Sequence, residues 1–207
     1  MATLVAIPCM DNVPTRFVKS LVHLRPVGEV AIAFTEGTLV DVARNILAKQ
    51  AVDNGYERIL WLDSDMEFPP ELLEVLSKDL DEGREFVGGL YFTRREPYHP
   101  VIYDQITAQR KGYEIIPNAN VYKEYPKDSI FKVSAIGFGA VLMTTELLTK
   151  VAKECGSPFE RITGFGEDLS FCIRAAYVGA ELWCDGRVKL NHVGYVSISE
   201  DNYNTIG

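Results

Sequence analysis

Strand and helix alternate through the first ninety residues, and this alternation restricts the chain more than any other feature. Thr3–Cys9 ("TLVAIPC") is a short apolar run closed by Pro8 and polar residues, as expected of a buried strand. "PTRFVKSLVHL" follows with Phe17, Leu21 and Leu24 on one helical face. "EVAIAF" reads as a second strand. "TLVDVARNILAKQAVDNG" reads as a helix with Leu39, Ala43, Ile46 and Leu47 on one side and Gly55 just past its end. "RILWLD" is a third strand, "PELLEVLSKDL" a helix opened by Pro69 and Pro70, and "EFVGGLYF" a fourth strand. Such an order predicts an α/β fold with a mostly parallel sheet covered by helices on both faces. In sheets of this kind ligands sit beyond the carboxyl ends of the strands.

From Thr93 to Lys132 no helical period is visible. Tyr, Pro, Asn and charged residues dominate, which predicts short strands and long loops of the kind that carry specificity. "FKVSAIGFGAVLMTT" returns to strand, and "ELLTKVAKEC" to helix. "GFGEDLSFCIRAAYVG" reads as a loop and then a helix with Leu169, Cys172 and Ala176 on one face. "AELWCD" and "RVKLNHVGY" read as two closing strands. The 207 residues suit a single domain without repeats or low-complexity linkers.

A net charge of −8 argues against a nucleic-acid-coating surface, which needs clustered Lys and Arg. Cys9, Cys155, Cys172 and Cys184 form no CxxC pair and read as free thiols rather than a disulfide framework. The N-terminus has no basic, then apolar, signal-peptide pattern. The longest uncharged stretch, Val133–Thr145, is too short to span a bilayer. The expectation is a soluble cytoplasmic protein, with a peripheral membrane role still compatible.

Three polar constellations could carry chemistry. Asp63-Ser64-Asp65 ends the apolar run of the third strand, and two carboxylates there can hold a hard divalent cation. The same acids could instead cap or precede the next helix. A calcium-binding EF-hand loop is excluded, because its sixth position would be Phe68 where glycine is needed. A phosphatase of the haloacid dehalogenase kind fits poorly, since it usually carries its acid pair on the first strand. Gly164-Phe165-Gly166-Glu167-Asp168 opens a helix, where acids are favoured by the macrodipole alone; the glycines could also bring backbone close to a ligand. His192, in "VKLNHVG", is a structural residue unless it meets the acids in space. Arg94 and Arg95 read as solvated loop charges, with phosphate contact as the alternative.

The order "VDVARN", "ILWLDSDMEFPPELL", "IGFGAVLMTTELL", "GFGEDLSFCIRAAYVGAELW", "LNHVG" closely resembles glycosyltransferases of the GT-A fold, most of all family 2 and its relatives. The likeness covers most of residues 1–195 and leaves the middle loop unmatched. It implies a single GT-A domain, with residues 1–92 as the nucleotide-sugar-binding half and 93–207 as the acceptor-binding half. The donor would be a nucleotide-diphospho-sugar and the cofactor Mn²⁺ or Mg²⁺. Pro8 to Asp11 would face the nucleotide base and Arg44 would lie near the donor. Asp63 would approach the ribose or metal, Asp65 would ligate the metal, and His192 would be a third ligand. Asp168, or its neighbour Glu167, would stand on the acceptor side, as catalytic base if the reaction inverts. One departure is evident. Family members usually carry an extra strand and an acidic turn before the Ala-Arg-Asn helix, whereas "FTEGTLVDVARN" enters it directly. Glu36 and Asp11 are therefore only candidates for reading the base. The acceptor (glycan, glycolipid, protein or small molecule) is not specified. The alternative reading is a non-catalytic nucleotide-sugar- or glycan-binding module of the same fold.

Overall fold

The apolar runs at the start of the chain become the centre of a sheet, because strands covered on both faces need apolar side chains in both directions. The structure is a computed structural model that describes residues 1–111, 114–194 and 199–201. In chain order the elements are β1 (Ala2–Pro8), α1 (Thr15–His23), β2 (Glu29–Thr35), α2 (Val40–Asp53), β3 (Arg58–Leu62) and β4 (Met66–Glu67). Then come α3 (Leu72–Asp81), β5 (Phe86–Leu90), β6 (Ile102–Lys111), β7 (Glu114–Val121), β8 (Ile130–Val133) and β9 (Ala135–Ile136). The last are β10 (Ala140–Thr144), α4 (Thr145–Cys155), α5 (Glu167–Tyr177), β11 (Leu182–Lys189) and β12 (Asn191–His192).

Seven strands form the main sheet in the order β2-β1-β3-β10-β5-β11-β8. β1 pairs in parallel with β2 and β3, and β11 with β5; β10 and β8 run antiparallel to their neighbours. The mixed α/β class and mostly parallel sheet expected from the sequence are thus observed. β10 lies between β3 and β5, so residues from both ends of the chain share one sheet. Alternate side chains feed two cores. Leu4, Ala6, Ile59 and Trp61 pack with α2, α4 and α5 on one face. Val5, Ile7, Leu60 and Leu62 pack with α1 and α3 on the other.

Several local expectations are revised. On α2, Leu39 and Ile46 are exposed, and the buried stripe is Ala43, Arg44, Leu47, Ala48 and Ala51. Small side chains let this helix approach the sheet closely, and one arginine is carried into the core with them. On α5 it is Ala175, not Ala176, that is buried. β6 and β7 pair antiparallel over nearly their whole length, where short strands and long loops were expected. Much of this pair is exposed, with Ile102, Tyr103, Ile106 and Ala119 as its contacts to the core, so burial imposes only a weak two-residue period on its sequence. The two closing strands are mostly one, β11, with a register shift between Asp185 and Lys189; Tyr195 lies outside the described residues. No helix among the described residues is long and apolar enough to cross a membrane.

A two-stranded ribbon finishes the positioning. β12 pairs antiparallel with β4, with Asn191 opposite Glu67 and His192 opposite Met66. The Val193 N–H donates to the Asp65 carbonyl at 2.7 Å. Residues 191–193 are thereby fastened to the residues that follow β3.

Candidate functional site

A cleft of about 340 Å³ opens beyond the carboxyl ends of β1 and β3. Pro8, Cys9 and Met10 form one wall and Thr38 and Val40 another, with Arg44, Asp63, Asp65, Glu167 and His192 converging between them. The strand ends bring Pro8 and Asp63 there because β1 and β3 are parallel neighbours.

The two acids after β3 have different surroundings. Asp63 Oδ1 accepts from Arg44 Nη2 at 2.6 Å, and Arg44 Nε donates to Glu167 Oε1 at 3.3 Å. Arg44 is 1% exposed and lies against the faces of Phe138, Trp61 and Phe159. Burial alone would lower its pKa, but Asp63, Glu167 and Asp168 outweigh that and raise it. Arg44 is therefore a buried cation clamped between Asp63, 19 positions along the chain, and Glu167, 123 positions along it. Its Nη1 has no hydrogen-bond partner among the described residues.

Asp65 faces the other way. His192 Nε2 lies 3.3 Å from Asp65 Oδ2, and Arg94 Nη1 lies 2.9 Å from the same oxygen. His192 Nδ1 is 3.0 Å from the Phe92 carbonyl oxygen, which can only accept. Nδ1 is thus a donor; Nε2 hydrogen-bonds Asp65 Oδ2 only when it too carries a proton, and in the neutral ring its lone pair is left for a cation in place of that hydrogen bond. Tyr91 supports the imidazole edge-on at 5.6 Å between ring centroids. The Tyr91 ring in turn crosses Gly137-Phe138-Gly139 so closely that a Cβ on Gly137 would fall 1.9 Å from its hydroxyl oxygen. That contact explains the glycines of "IGFGAV".

These surroundings push two carboxyls one residue apart in opposite directions. Burial raises the Asp63 pKa despite Arg44, and the Asp65 charge adds to the rise. Burial would also raise Asp65, but the His192 hydrogen bond and the charges of His192 and Arg94 hold it below the usual carboxylate range. The third acid, Asp168, lies in the first turn of α5 behind Gly166. Burial and the Glu167 charge push its carboxyl up to about 6, against the 2.7 Å hydrogen bond that Oδ1 accepts from the Leu169 N–H. Burial raises the Tyr91 and Tyr103 hydroxyls, and the Asp168 charge adds to both.

The sequence-based candidates divide accordingly. Arg44, Asp63, Asp65, Glu167, His192 and Pro8 line the cleft. Asp168 stands behind it. Asp11 and Glu36 are exposed and do not line it; their charges add to the burial that raises the thiol of Cys9, which does. Among the described residues no three His, Cys, Asp or Glu side chains are gathered as a metal cluster. The structure pairs Asp65 with His192 and commits Asp63 to Arg44. The remaining pair still suits a divalent cation. It joins a carboxylate held ionised to an imidazole whose other nitrogen is fixed by a backbone carbonyl, the usual support of a ligating histidine. Arg94, read from sequence as a solvated charge, lines the cleft; its place became visible only once β12 delivered His192 beside Asp65. Thr38, Val40 and Tyr91 were also missed, and nothing in their sequence context sets them apart.

No protein-family model matches the sequence, and comparison with curated protein sequences finds no match. Solved structures do match. A197 from STIV superposes with a TM-score of 0.70 at 19% identity, over 98% of this chain and 92% of that one. GalNAc-T7, crystallised with UDP, GalNAc and Mn²⁺, superposes with a TM-score of 0.63 at 11% identity, over 100% of this chain and 47% of that one. At these identities the likeness is one of fold alone, a GT-A-like α/β fold.

Proposed function

We propose that the chain is a metal-dependent glycosyltransferase that moves a sugar from a nucleotide-diphospho-sugar to an acceptor hydroxyl. The observation that carries this reading is the meeting of Asp65 Oδ2 and His192 Nε2 at 3.3 Å, across 127 positions of sequence, at the mouth of a strand-end cleft. The GT-A fold supports it, as does the UDP and Mn²⁺ in the GalNAc-T7 crystal.

In this reading Pro8, Cys9 and Met10 wall the nucleotide, and residues 1–92 supply most of the donor site. Residues 93–207 supply the acceptor side. Asp65 and His192 hold Mn²⁺ or Mg²⁺, and Asp63 approaches the ribose or metal from its place beside Arg44. A cation held by Asp65 and His192 would supply positive charge for the departing diphosphate. From the wall of the cleft, Arg44 fixes Asp63 and Glu167 relative to each other. That engagement leaves Asp168 as the freer of the two helix-opening acids. With its carboxyl raised to about 6, Asp168 is ionised at neutral pH yet basic enough to accept a proton. In an inverting reaction the acceptor oxygen bonds to the anomeric carbon, the nucleoside diphosphate leaves with the bonding pair, and the hydroxyl proton passes to Asp168.

A thermal-shift screen of UDP-, GDP-, CMP- and dTDP-sugars with and without Mn²⁺ tests the reading. Stabilisation by at least one nucleotide-diphospho-sugar, larger with Mn²⁺, is expected. No stabilisation by any of them would reject the donor site.

A further inference from the structure

Arg94 and His192 compete for one atom. Arg94 Nη1 and His192 Nε2 lie 2.9 Å and 3.3 Å from Asp65 Oδ2. A guanidinium therefore sits where a cation held by Asp65 and His192 would require the carboxylate for itself. We propose that Arg94 is an exchangeable stand-in cation: it neutralises Asp65 in the metal-free chain, is displaced when the metal binds, and then pairs with the donor diphosphate. The proposal rests on the donor-site reading above and adds to it a coupling between metal and nucleotide.

The local construction suits such an exchange. Arg94 is a loop residue between β5 and β6, and its side chain is half exposed, so it can move without repacking a core. The loop backbone, by contrast, is tied down. The Thr93 N–H donates to the His99 carbonyl at 3.0 Å, and the His99 N–H donates to Thr93 Oγ1 at 3.2 Å. Thr93 Oγ1 also donates to the Arg95 carbonyl at 3.3 Å. A fixed base with a free arm keeps the guanidinium within reach of one neighbourhood. A second cavity adjoins the cleft at Asp65 and Arg94, and Arg95 and Gly194 line it too. Arg95 makes no ion pair among the described residues. The region beside Asp65 thus offers two guanidinium groups, whose planar forks match phosphate oxygens.

Charge explains the direction of the exchange. With no metal, Asp65 is a partly buried carboxylate that needs a cation, and Arg94 provides it. A divalent ion on the same oxygen repels the guanidinium and attracts the diphosphate, so both effects move Arg94 from Asp65 toward phosphate. Metal alone must displace Arg94 without compensation, whereas metal with nucleotide regains the arginine as a ligand to phosphate. Binding of the two should therefore be cooperative, and Arg94 should carry part of that cooperativity.

The test compares the wild type with Arg94→Ala and Arg94→Lys, each checked for an unchanged melting profile. Mn²⁺ affinity is measured alone by electron paramagnetic resonance. The affinities of UDP, GDP, CDP and dTDP are then measured at saturating Mn²⁺ by calorimetry. Arg94→Ala is expected to bind Mn²⁺ alone about 5- to 10-fold more tightly, because an internal competitor is gone. It should bind its preferred nucleoside diphosphate at least about tenfold more weakly. Arg94→Lys should stay near the wild type for Mn²⁺ and lose part of the diphosphate affinity. Mn²⁺ affinity that is unchanged or weakened in Arg94→Ala would overturn the exchange while leaving the donor site intact. Failure of both wild type and variant to bind Mn²⁺ would overturn the donor-site reading and the exchange with it.

Discussion

His192 and Asp65 are 127 positions apart in sequence, yet Nε2 of one lies 3.3 Å from Oδ2 of the other. The pairing of β12 with β4 makes the contact, and the Phe92 carbonyl fixes which nitrogen is offered. Replacing His192 by Ala should therefore weaken Mn²⁺ binding by at least about 10–100-fold. The ring, though only 16% exposed, belongs to neither apolar core, so the melting temperature should change by only a few degrees. Mn²⁺ titration followed by water-proton relaxation checks this. Wild-type affinity in the variant would leave His192 as a packing residue.

Arg44 joins Asp63 to Glu167 inside the protein, and its removal strands two carboxylates. Arg44→Met is expected to lower stability by about 3–5 kcal/mol, most of it from the uncompensated acids rather than from lost packing. Adding Asp63→Asn to Arg44→Met should recover part of the loss. Urea unfolding of the single and double variants measures both. A single variant within 1 kcal/mol of the wild type would mean that the clamp contributes little.

The raised carboxyl of Asp168 has two consequences with defined signs. Transfer should rise with pH and level off above about 6, as the base becomes ionised. Because the folded-state value lies above the unfolded one, the folded protein holds this proton more tightly. The group's stabilising contribution is complete below its ordinary value of 3.8 and is lost as pH rises through about 6. Asp168→Asn should therefore be as stable as the wild type, or more so, at pH above 7, while transfer falls by about 10²–10⁴. Paired pH profiles of single-turnover transfer and of urea midpoints would show the split. Near-normal transfer in the Asn variant would move the base to Glu167 or remove a side-chain base altogether.

Gly137 is required by contact, not by backbone conformation. A Cβ there would lie 1.9 Å from Tyr91 Oη and 2.7 Å from Val101 Cγ1. Gly137→Ala should cost about 1–3 kcal/mol by overpacking and should loosen the ring that braces His192. Tyr91→Phe in the same chain removes the closest atom and should restore part of the stability. Thermal unfolding of the two single variants and the double variant checks the pairing. Strict additivity would mean that the alanine is accommodated elsewhere.

Much of this architecture could be read from periodicity. β1, β3 and β5 are apolar on both faces, and that alone placed Asp63 and Asp65 at the end of a buried strand. Two things resisted. The β6–β7 pair packs on the core only through Ile102, Tyr103, Ile106 and Ala119 and mixes polar with apolar residues elsewhere, so it leaves no clear pattern. The buried side of α2 was misread because Arg44 counts as polar, although three aromatic faces and two carboxylates make it a core residue. At the site, the acids and His192 could be named, but their division of labour could not. Which carboxylate meets Arg44 and which meets His192 depends on the turn after β3 and on the ribbon formed with β12. The Arg94 contact depends on the same ribbon, so the sequence offered only two adjacent arginines in a loop.

The most direct measurement is release of nucleoside diphosphate from a panel of nucleotide-diphospho-sugars, with Mn²⁺ and again in excess EDTA, by the wild type and Asp65→Asn. Hydrolysis or transfer is expected with at least one donor, lost in EDTA and reduced by at least about 10²-fold in Asp65→Asn. Turnover that persists unchanged in EDTA and in Asp65→Asn would contradict a cation held at Asp65 and His192.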